Sequence, residues 1–470
     1  MSKKTIISII ENLLMVLLLF AMLVQCVWYI NLARNGGEGA LPDFPESEAS
    51  FLANDSLALS ETGKSHLTPY FVGVILEDGM YGGTYEDSIA YEIFGNFAKV
   101  LENAPGGTAK KVVYPGTEKK YEYLDSLYND TKNCYYVRFR NGLEFSALCQ
   151  LMSDTDTDIP QSPEFEVRDM FLICGSSGEA SITAVDDEGS VLKIYPSKNI
   201  PFNNEYLETY NNTEKDEFEF VEVDVNTTAD KNCYFPAFRY SVDYRTVRRI
   251  PFSEYFSFNE FDADVRDFVS IFGMNSDNTK FYKRSSDGAI ICVENATTFE
   301  ISSDGSILFV PEVNDGGLDL YLDTSLDSDY GFYEYSRAAQ NIVSLLNDKL
   351  YGCAGVLSLA DIAYNEGECS FYYSFTVNGV PVEQNGGCGL ELVFSGDRLR
   401  GARGRIAVCI PNGDSVTDIP QKTAWVLMEK HGTVKYFGPE YTFPENSVGN
   451  DLSVMRWKVE YASAYGGDRE

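Results

Sequence analysis

The scarcest reactive side chains in this 470-residue chain are two histidines. His66 lies in a polar stretch and His431 follows a helical pattern, where a cation interacts favourably with the helix dipole. Neither has a metal-ligand neighbour at ligating spacing, which argues against a zinc site or a Ser/His/Asp relay. Asp154-Thr-Asp-Thr-Asp158 starts like a calcium loop. An EF-hand needs Gly at its sixth position and Glu at its twelfth, and Ile159 and Phe165 stand there. That leaves a solvated acidic loop or a weak calcium site of another kind. Gly175-Ser-Ser-Gly178 lacks the spacing of a nucleophile elbow, and no P-loop or dinucleotide-binding glycine pattern occurs. Among 71 acidic residues no carboxylate pair singles itself out for glycoside hydrolysis. The expectation is a chain with no catalytic residues, no metal and no cofactor.

Of ten cysteines, Cys26 lies in an apolar run and nine lie beyond it. No C-x-x-C occurs, and most sit in apolar strand patterns such as Phe171-Leu-Ile-Cys174, where buried free thiols are the commoner outcome. If disulfides form, Cys353–Cys369 and Cys388–Cys409 are the first pairs to consider.

One polar pattern does point to contact with a partner. Leu13–Ile30 is free of charge, and about 20 apolar residues suffice for a helix to cross a bilayer core. Lys3 and Lys4 precede it and Trp28-Tyr29 close it, so the N-terminus is expected in the cytoplasm and the remainder outside the cell membrane, with a single pass. The residues after it make a poor cleavage site, which favours a retained signal anchor. Glu11, Met15, Leu18, Met22 and Gln25 share one face of this helix, where polar groups can bond a neighbouring membrane helix. Alternatively, Glu11 snorkels to the inner interface.

The elements behind these residues read as α+β. A single N-terminal transmembrane helix (1–34) and a flexible acidic linker (35–68) precede a multi-domain extracytoplasmic region of antiparallel sheets, each packed with one or two helices. The regions expected are an α/β part at 69–200, a middle α+β part at 215–328 and a C-terminal α+β part at 329–470. Helices are expected at 84–104, 119–128, 259–272 and 333–350, and from about 417 to Gly432. The inward residues of 333–350 are Ala338, Ala339, Ile342, Leu345 and Leu346. Asn141-Gly142 between apolar runs reads as a hairpin turn, and Gly404–Ile410 as one strand.

The formal net charge is −34. The first 35 residues carry +2 (Lys3, Lys4 and Arg34 against Glu11), leaving −36 for the rest. A nucleic-acid binder needs a basic surface, so that class is excluded, and binding of anionic lipid or polymer is disfavoured.

The layout, together with Ile271–Tyr282, Asp287-Gly288, Ser303–Val310 and Phe371–Val382 followed by Gly389–Phe394, resembles the YycH/YycI family. These are membrane-anchored regulators of an essential cell-wall sensor histidine kinase in Gram-positive bacteria. The resemblance implies a non-enzymatic role in a two-component system, with a sensor histidine kinase and a second membrane-anchored regulator as partners. The sign of regulation does not carry over. The cysteine-rich ectodomain and the long acidic linker depart from the family pattern. The alternatives are an envelope-binding or adhesive surface protein tethered by its anchor, and a hydrolase whose site is hidden among the carboxylates.

Overall fold

In the computed structural model, residues 67–461 are described except 68, 84–87, 105–106, 153–163, 175–178, 197–216, 224–232, 240–242, 257–262, 276, 295–296, 312–316, 320–330, 351–352, 354, 366, 378, 384–388, 418–420, 428–433 and 444–453. All of them fall in one compact unit, Ser56–Glu470. The fold is α+β: antiparallel sheets with few helices. Among the described residues no helix is long and apolar enough to cross a membrane. The run 13–30 lies outside the described residues.

The first sheet has seven antiparallel strands in the order β2-β1-β4-β5-β6-β7-β3. They are β1 Phe71–Ile75, β2 Met80–Gly83, β3 Thr108–Lys111, β4 Cys134–Glu144, β5 Glu166–Cys174, β6 Ala180–Val185 and β7 Val191–Tyr195. Helix α1 (Ser88–Glu102) buries Ile93, Phe97, Val100 and Leu101 at helical spacing, and Phe94 meets Phe139 of β4 edge-on. Helix α2 (Thr117–Asp125) runs on into a π-helical turn, Ser126–Asp130, which places Tyr128 on the opposite side of the sheet. The ribbon of β8 (Phe218–Val223) and β9 (Cys233–Phe238) closes that side with Phe218, Phe220, Tyr234 and Phe238.

Asn141-Gly142 does not turn the chain. Strand β4 continues through it with a shift of register against β5 between Arg138 and Leu143; of the return strand expected over Leu143–Leu148, the first two residues end β4 and the rest lie in helix α3 (Phe145–Met152). Phe145, Leu148, Cys149 and Met152 bury one helical face, so the 3.6-residue period outweighed the turn dipeptide. The Asn141 side-chain N–H donates to the Ala360 carbonyl at 3.0 Å, a tertiary contact in place of a turn.

The second large sheet has ten strands, with the path β11-β12-β13-β14-β20-β19-β17-β16 and two short strands at its flanks. Strands β11 (Lys280–Lys283) and β12 (Ile290–Glu294) form one expected hairpin, β13 (Thr297–Ile301) and β14 (Ser306–Pro311) the other. Gly288 and Gly305 take the positive φ that these turns require. Beyond β15 (Leu318–Asp319) come β16 (Gly355–Asn365), β17 (Glu368–Val377), β18 (Val380–Pro381), β19 (Leu390–Ser395) and β20 (Arg398–Arg405). Because β14 pairs β20, the sheet draws on both sides of the 328/329 division read from the sequence.

Single-turn helix α4 (Phe252–Tyr255), α5 (Ala263–Ile271) and α6 (Phe332–Lys349) supply the cover for the aromatic row Phe299, Phe309, Phe371 and Phe394 of this sheet. Phe272 packs on Phe299 at 4.7 Å, Phe332 on Phe371 at 5.8 Å and Tyr335 on Phe394 at 5.9 Å between ring centres. The Gly331 N–H donates to the Glu334 carboxylate at 2.9 Å, which caps α6. Leu345, expected inward, is 48% exposed, and Val343 is buried in its place. The run Gly404–Ile410 breaks at Ile406-Ala407 between β20 and β21 (Val408–Thr417), and β21 pairs β10 (Asp243–Ile250). Helix α7 (Gln421–Leu427), then β22 (Val434–Thr442) and β23 (Val454–Tyr461), complete the chain. Gln421 ties this end to the β8–β9 ribbon: it accepts from the Phe238 N–H at 3.3 Å and donates to the Phe437 carbonyl at 3.4 Å.

Candidate functional site

Two arrangements of charged and aromatic side chains stand out, one sealed and one open. The sealed one lies in the seven-stranded sheet, where Arg138 of β4 faces Asp169 of β5 directly across the ladder. Both are almost without exposure. One terminal guanidinium nitrogen of Arg138 lies 3.0 Å from each Asp169 oxygen and donates to the Tyr234 carbonyl at 2.7 Å. The Tyr136 and Tyr128 hydroxyls donate to the same carboxylate at 2.6 and 2.8 Å. Phe235 lies 4.2 Å from the guanidinium carbon. Burial works most strongly against the Arg138 charge, but Asp169 and the Tyr136 and Tyr128 hydroxyls together more than offset it, and the group stays protonated. Burial first, then the Asp169 carboxylate, pushes both tyrosine hydroxyls well above their usual range. Buried charge is tolerated only when it is fully paired, and both carboxylate oxygens here are occupied. The cluster is therefore a built-in polar core that locks β4, β5, β9 and the turn after α2 together.

The open arrangement is the face of the ten-stranded sheet opposite α5 and α6. Its register places Tyr282, Ile291, Glu300, Leu308, Arg403, Glu391 and Tyr372 in one row across seven strands. Tyr282 is 52% exposed, Leu308 46% and its neighbour Val310 49%. Arg284 bridges Asp287 and Glu300, each at 2.6 Å, and Arg403 pairs with the buried Glu391 carboxylate. The Arg284 bond holds the Asp287 carboxyl down at about 2. An antiparallel sheet with one solvated face normally presents polar side chains there. This one presents aromatic and branched groups framed by arginine ion pairs.

The five residues expected to meet a partner in the membrane, Glu11, Met15, Leu18, Met22 and Gln25, lie outside the described residues, as do His66, His431 and Asp154–Asp158. Among the described residues no cluster of three or more His, Cys, Asp or Glu side chains could hold a metal. Cys353, Cys369 and Cys409 are free thiols, and Cys388 lies outside the described residues. Cys369 pairs with Tyr364 at one end of β16, whereas Cys353 precedes its other end at Gly355. Nine residues of strand span about 30 Å, far beyond the ~7 Å that a disulfide tolerates. Burial pushes the Cys134, Cys149, Cys292 and Cys369 thiols up to about 12.

Neither charged arrangement figured in the reading of the sequence. A signal was present in Cys134–Phe139, where Arg138 interrupts an apolar strand, and in Val167–Cys174, where Arg168-Asp169 precede an apolar run. Charges of opposite sign inside two apolar strands are a cue for a cross-strand pair. The four arginines of 398–405 mark the open face in the same way.

The fold and these two arrangements define an antiparallel α+β protein with a sealed polar core and one uncovered sheet face. No protein-family model matches the chain, and no curated protein matches it. Among solved structures, the chain is similar to the crystal structure of an uncharacterized protein from Eubacterium rectale. The identity is 13% and the TM-score 0.32, over 53% of this chain and 87% of that one.

Proposed function

We propose that this chain is a membrane-anchored regulator that binds the extracytoplasmic part of a sensor histidine kinase on the open face of its ten-stranded sheet. A second anchored regulator shares the complex, and the span face from Glu11 to Gln25 provides the contact within the membrane. The observation that carries the reading is the row from Tyr282 to Tyr372, with Tyr282, Leu308 and Val310 exposed beside Arg403. Aromatic residues and arginine are the types that dominate binding at protein interfaces. The charge of −36 beyond residue 35 disfavours nucleic acid as the partner. The resemblance to the YycH/YycI family supplies the kind of partner.

Co-purification from membranes tests both surfaces. Full-length chain should recover the kinase, Leu308→Asp should lose most of it, and Glu11→Leu and Gln25→Leu should weaken recovery. Unchanged recovery in all three variants contradicts the proposal. If a soluble fragment 69–470 restores function without the span, both the membrane contact and the reading as an envelope-binding protein tethered by its anchor fail.

A further inference from the structure

Acidic residues outnumber basic ones 71 to 37, yet one edge of the seven-stranded sheet is lined with lysine. Strand β3, Thr108–Lys111, ends the sheet and pairs with β7 on its inner side. The opposite edge, β2, is covered, because Tyr81 bridges to Glu217 just before β8. Among the described residues no strand pairs with the outer side of β3.

The ladder fixes which backbone groups point outward. The Val112 N–H donates to the Val191 carbonyl at 2.8 Å, and the register runs Lys111 to Leu192, Lys110 to Lys193 and Ala109 to Ile194. Hydrogen-bonded and open pairs alternate along an antiparallel ladder. Lys110 therefore directs its N–H and C=O to Lys193, whereas Ala109 and Lys111 turn theirs away from the sheet. The same register sets Lys110 opposite Lys193, with α-carbons about 5.5 Å apart. Like charges directly opposite are destabilising, and among the described residues neither lysine has an ion-pair partner. Lys193 lies over the Tyr123 ring at 5.4 Å, and Lys110 is exposed. Tyr195, two residues along on the Lys193 side, is 45% exposed. On the other face the Lys111 ammonium lies 5.9 Å from the centre of the Phe165 ring.

We propose that the free edge of β3 accepts an extended acidic segment of a partner protein as an added strand of the seven-stranded sheet. This surface is separate from the open face assigned to the kinase and stands without that assignment. The outward N–H and C=O groups of Ala109 and Lys111 supply the main-chain bonds that hold an added strand, and the side chains beside them select it. A carboxylate opposite Lys110 lies beside two lysines and relieves their mutual repulsion. A second one, opposite Lys111, meets the lysine of the other face. The same charges disfavour a second copy of this chain, because pairing β3 with β3 sets lysine against lysine. Lysine at an edge also discourages indiscriminate strand addition, which makes the edge selective for acidic sequence. With a screening length of about 8 Å at physiological salt, a segment on this edge responds to these lysines more than to the distant acids of the chain.

The test is saturation-transfer NMR on the full-length chain in non-ionic detergent, titrated with capped peptides. The probe is Thr-Val-Glu-Glu-Val-Thr. The comparators are Thr-Val-Lys-Lys-Val-Thr and the glutamate peptide with alternate backbone nitrogens methylated. Wild type should bind the glutamate peptide about tenfold more tightly than the lysine peptide, and methylation should abolish binding. Lys110→Glu should weaken binding about fivefold or more, the scale of a cross-strand charge pair. Lys283→Glu, on the edge strand β11 of the other large sheet, should leave it unchanged. Ala109→Pro removes an outward N–H without touching a ladder bond to β7, a change that an edge strand tolerates, and should abolish binding. Lys110→Glu relieves the like-charge pair and should fold with an equal or higher Tm, which keeps the proposal testable if Ala109→Pro fails to fold. No binding of the glutamate peptide by wild type, equal binding of the lysine peptide, or unaltered affinity in Lys110→Glu overturns the proposal. A wild-type dimer that Ala109→Pro converts to monomer assigns the edge to a second copy and overturns it as well.

Discussion

The two large sheets handle charge in opposite ways. The seven-stranded sheet is covered on both sides, and it carries its Arg138–Asp169 pair inside, with every carboxylate oxygen engaged. The ten-stranded sheet packs phenylalanine against α5 and α6 on one side, and its ion pairs lie on the other, beside exposed Tyr282 and Leu308. A buried pair costs several kcal/mol of desolvation per ion and repays it only in fixed geometry, so it acts as a lock. A solvated pair contributes little to stability and leaves its groups free to exchange partners. The contrast gives the first sheet a lock and leaves the second a solvated face, the face on which the proposed function places partner recognition.

The largest effect should come from opening the lock. Asp169→Ala leaves Arg138 buried without its anion and should destabilise the chain by about 3–5 kcal/mol in denaturant unfolding. Tyr136→Phe removes one donor from the same carboxylate and should cost about 1–3 kcal/mol. A loss under half a kcal/mol in both would erase the distinction between the sheets. On the open face, Arg284→Ala should return the Asp287 carboxyl from about 2 toward the ordinary range in an NMR titration. The sign follows: a depressed carboxyl adds stability above its unfolded value of about 4, and that contribution fades as pH falls through about 2. Thiol labelling sharpens the comparison further. Cys353 is half-exposed, with its thiol raised to about 11, so it should label before Cys134 and Cys149. The smallest effect on stability should be Leu308→Ala, within about 0.5 kcal/mol, as for most surface positions.

Local signals in the sequence were read correctly where one element decides its own shape. The hairpins at Asp287-Gly288 and Asp304-Gly305 and the buried faces of α1 and α5 follow from turn chemistry and helical period. Pairings between distant segments were not legible. Nothing near Ser306 announces Arg405 as its neighbour, nor does Asp243–Ile250 announce β21 as its partner, because those contacts are set by sheet assembly. Asn141-Gly142 misled because a tertiary contact to Ala360 and the buried face of α3 outweigh a two-residue preference. The candidate surface was hidden for the same reason: its row takes one residue from each of seven strands.

Site-specific photo-crosslinking in intact membranes tests the division of labour most directly. A crosslinker at position 308, on the open face, is compared with one at position 113, where Val113 is 88% exposed in the seven-stranded part. Capture from the less exposed position 308 (46%) and not from the more exposed position 113 (88%) is the signature of a specific face. The account predicts a discrete adduct with the kinase from position 308 and none from position 113. Capture from 113 but not from 308 would contradict it.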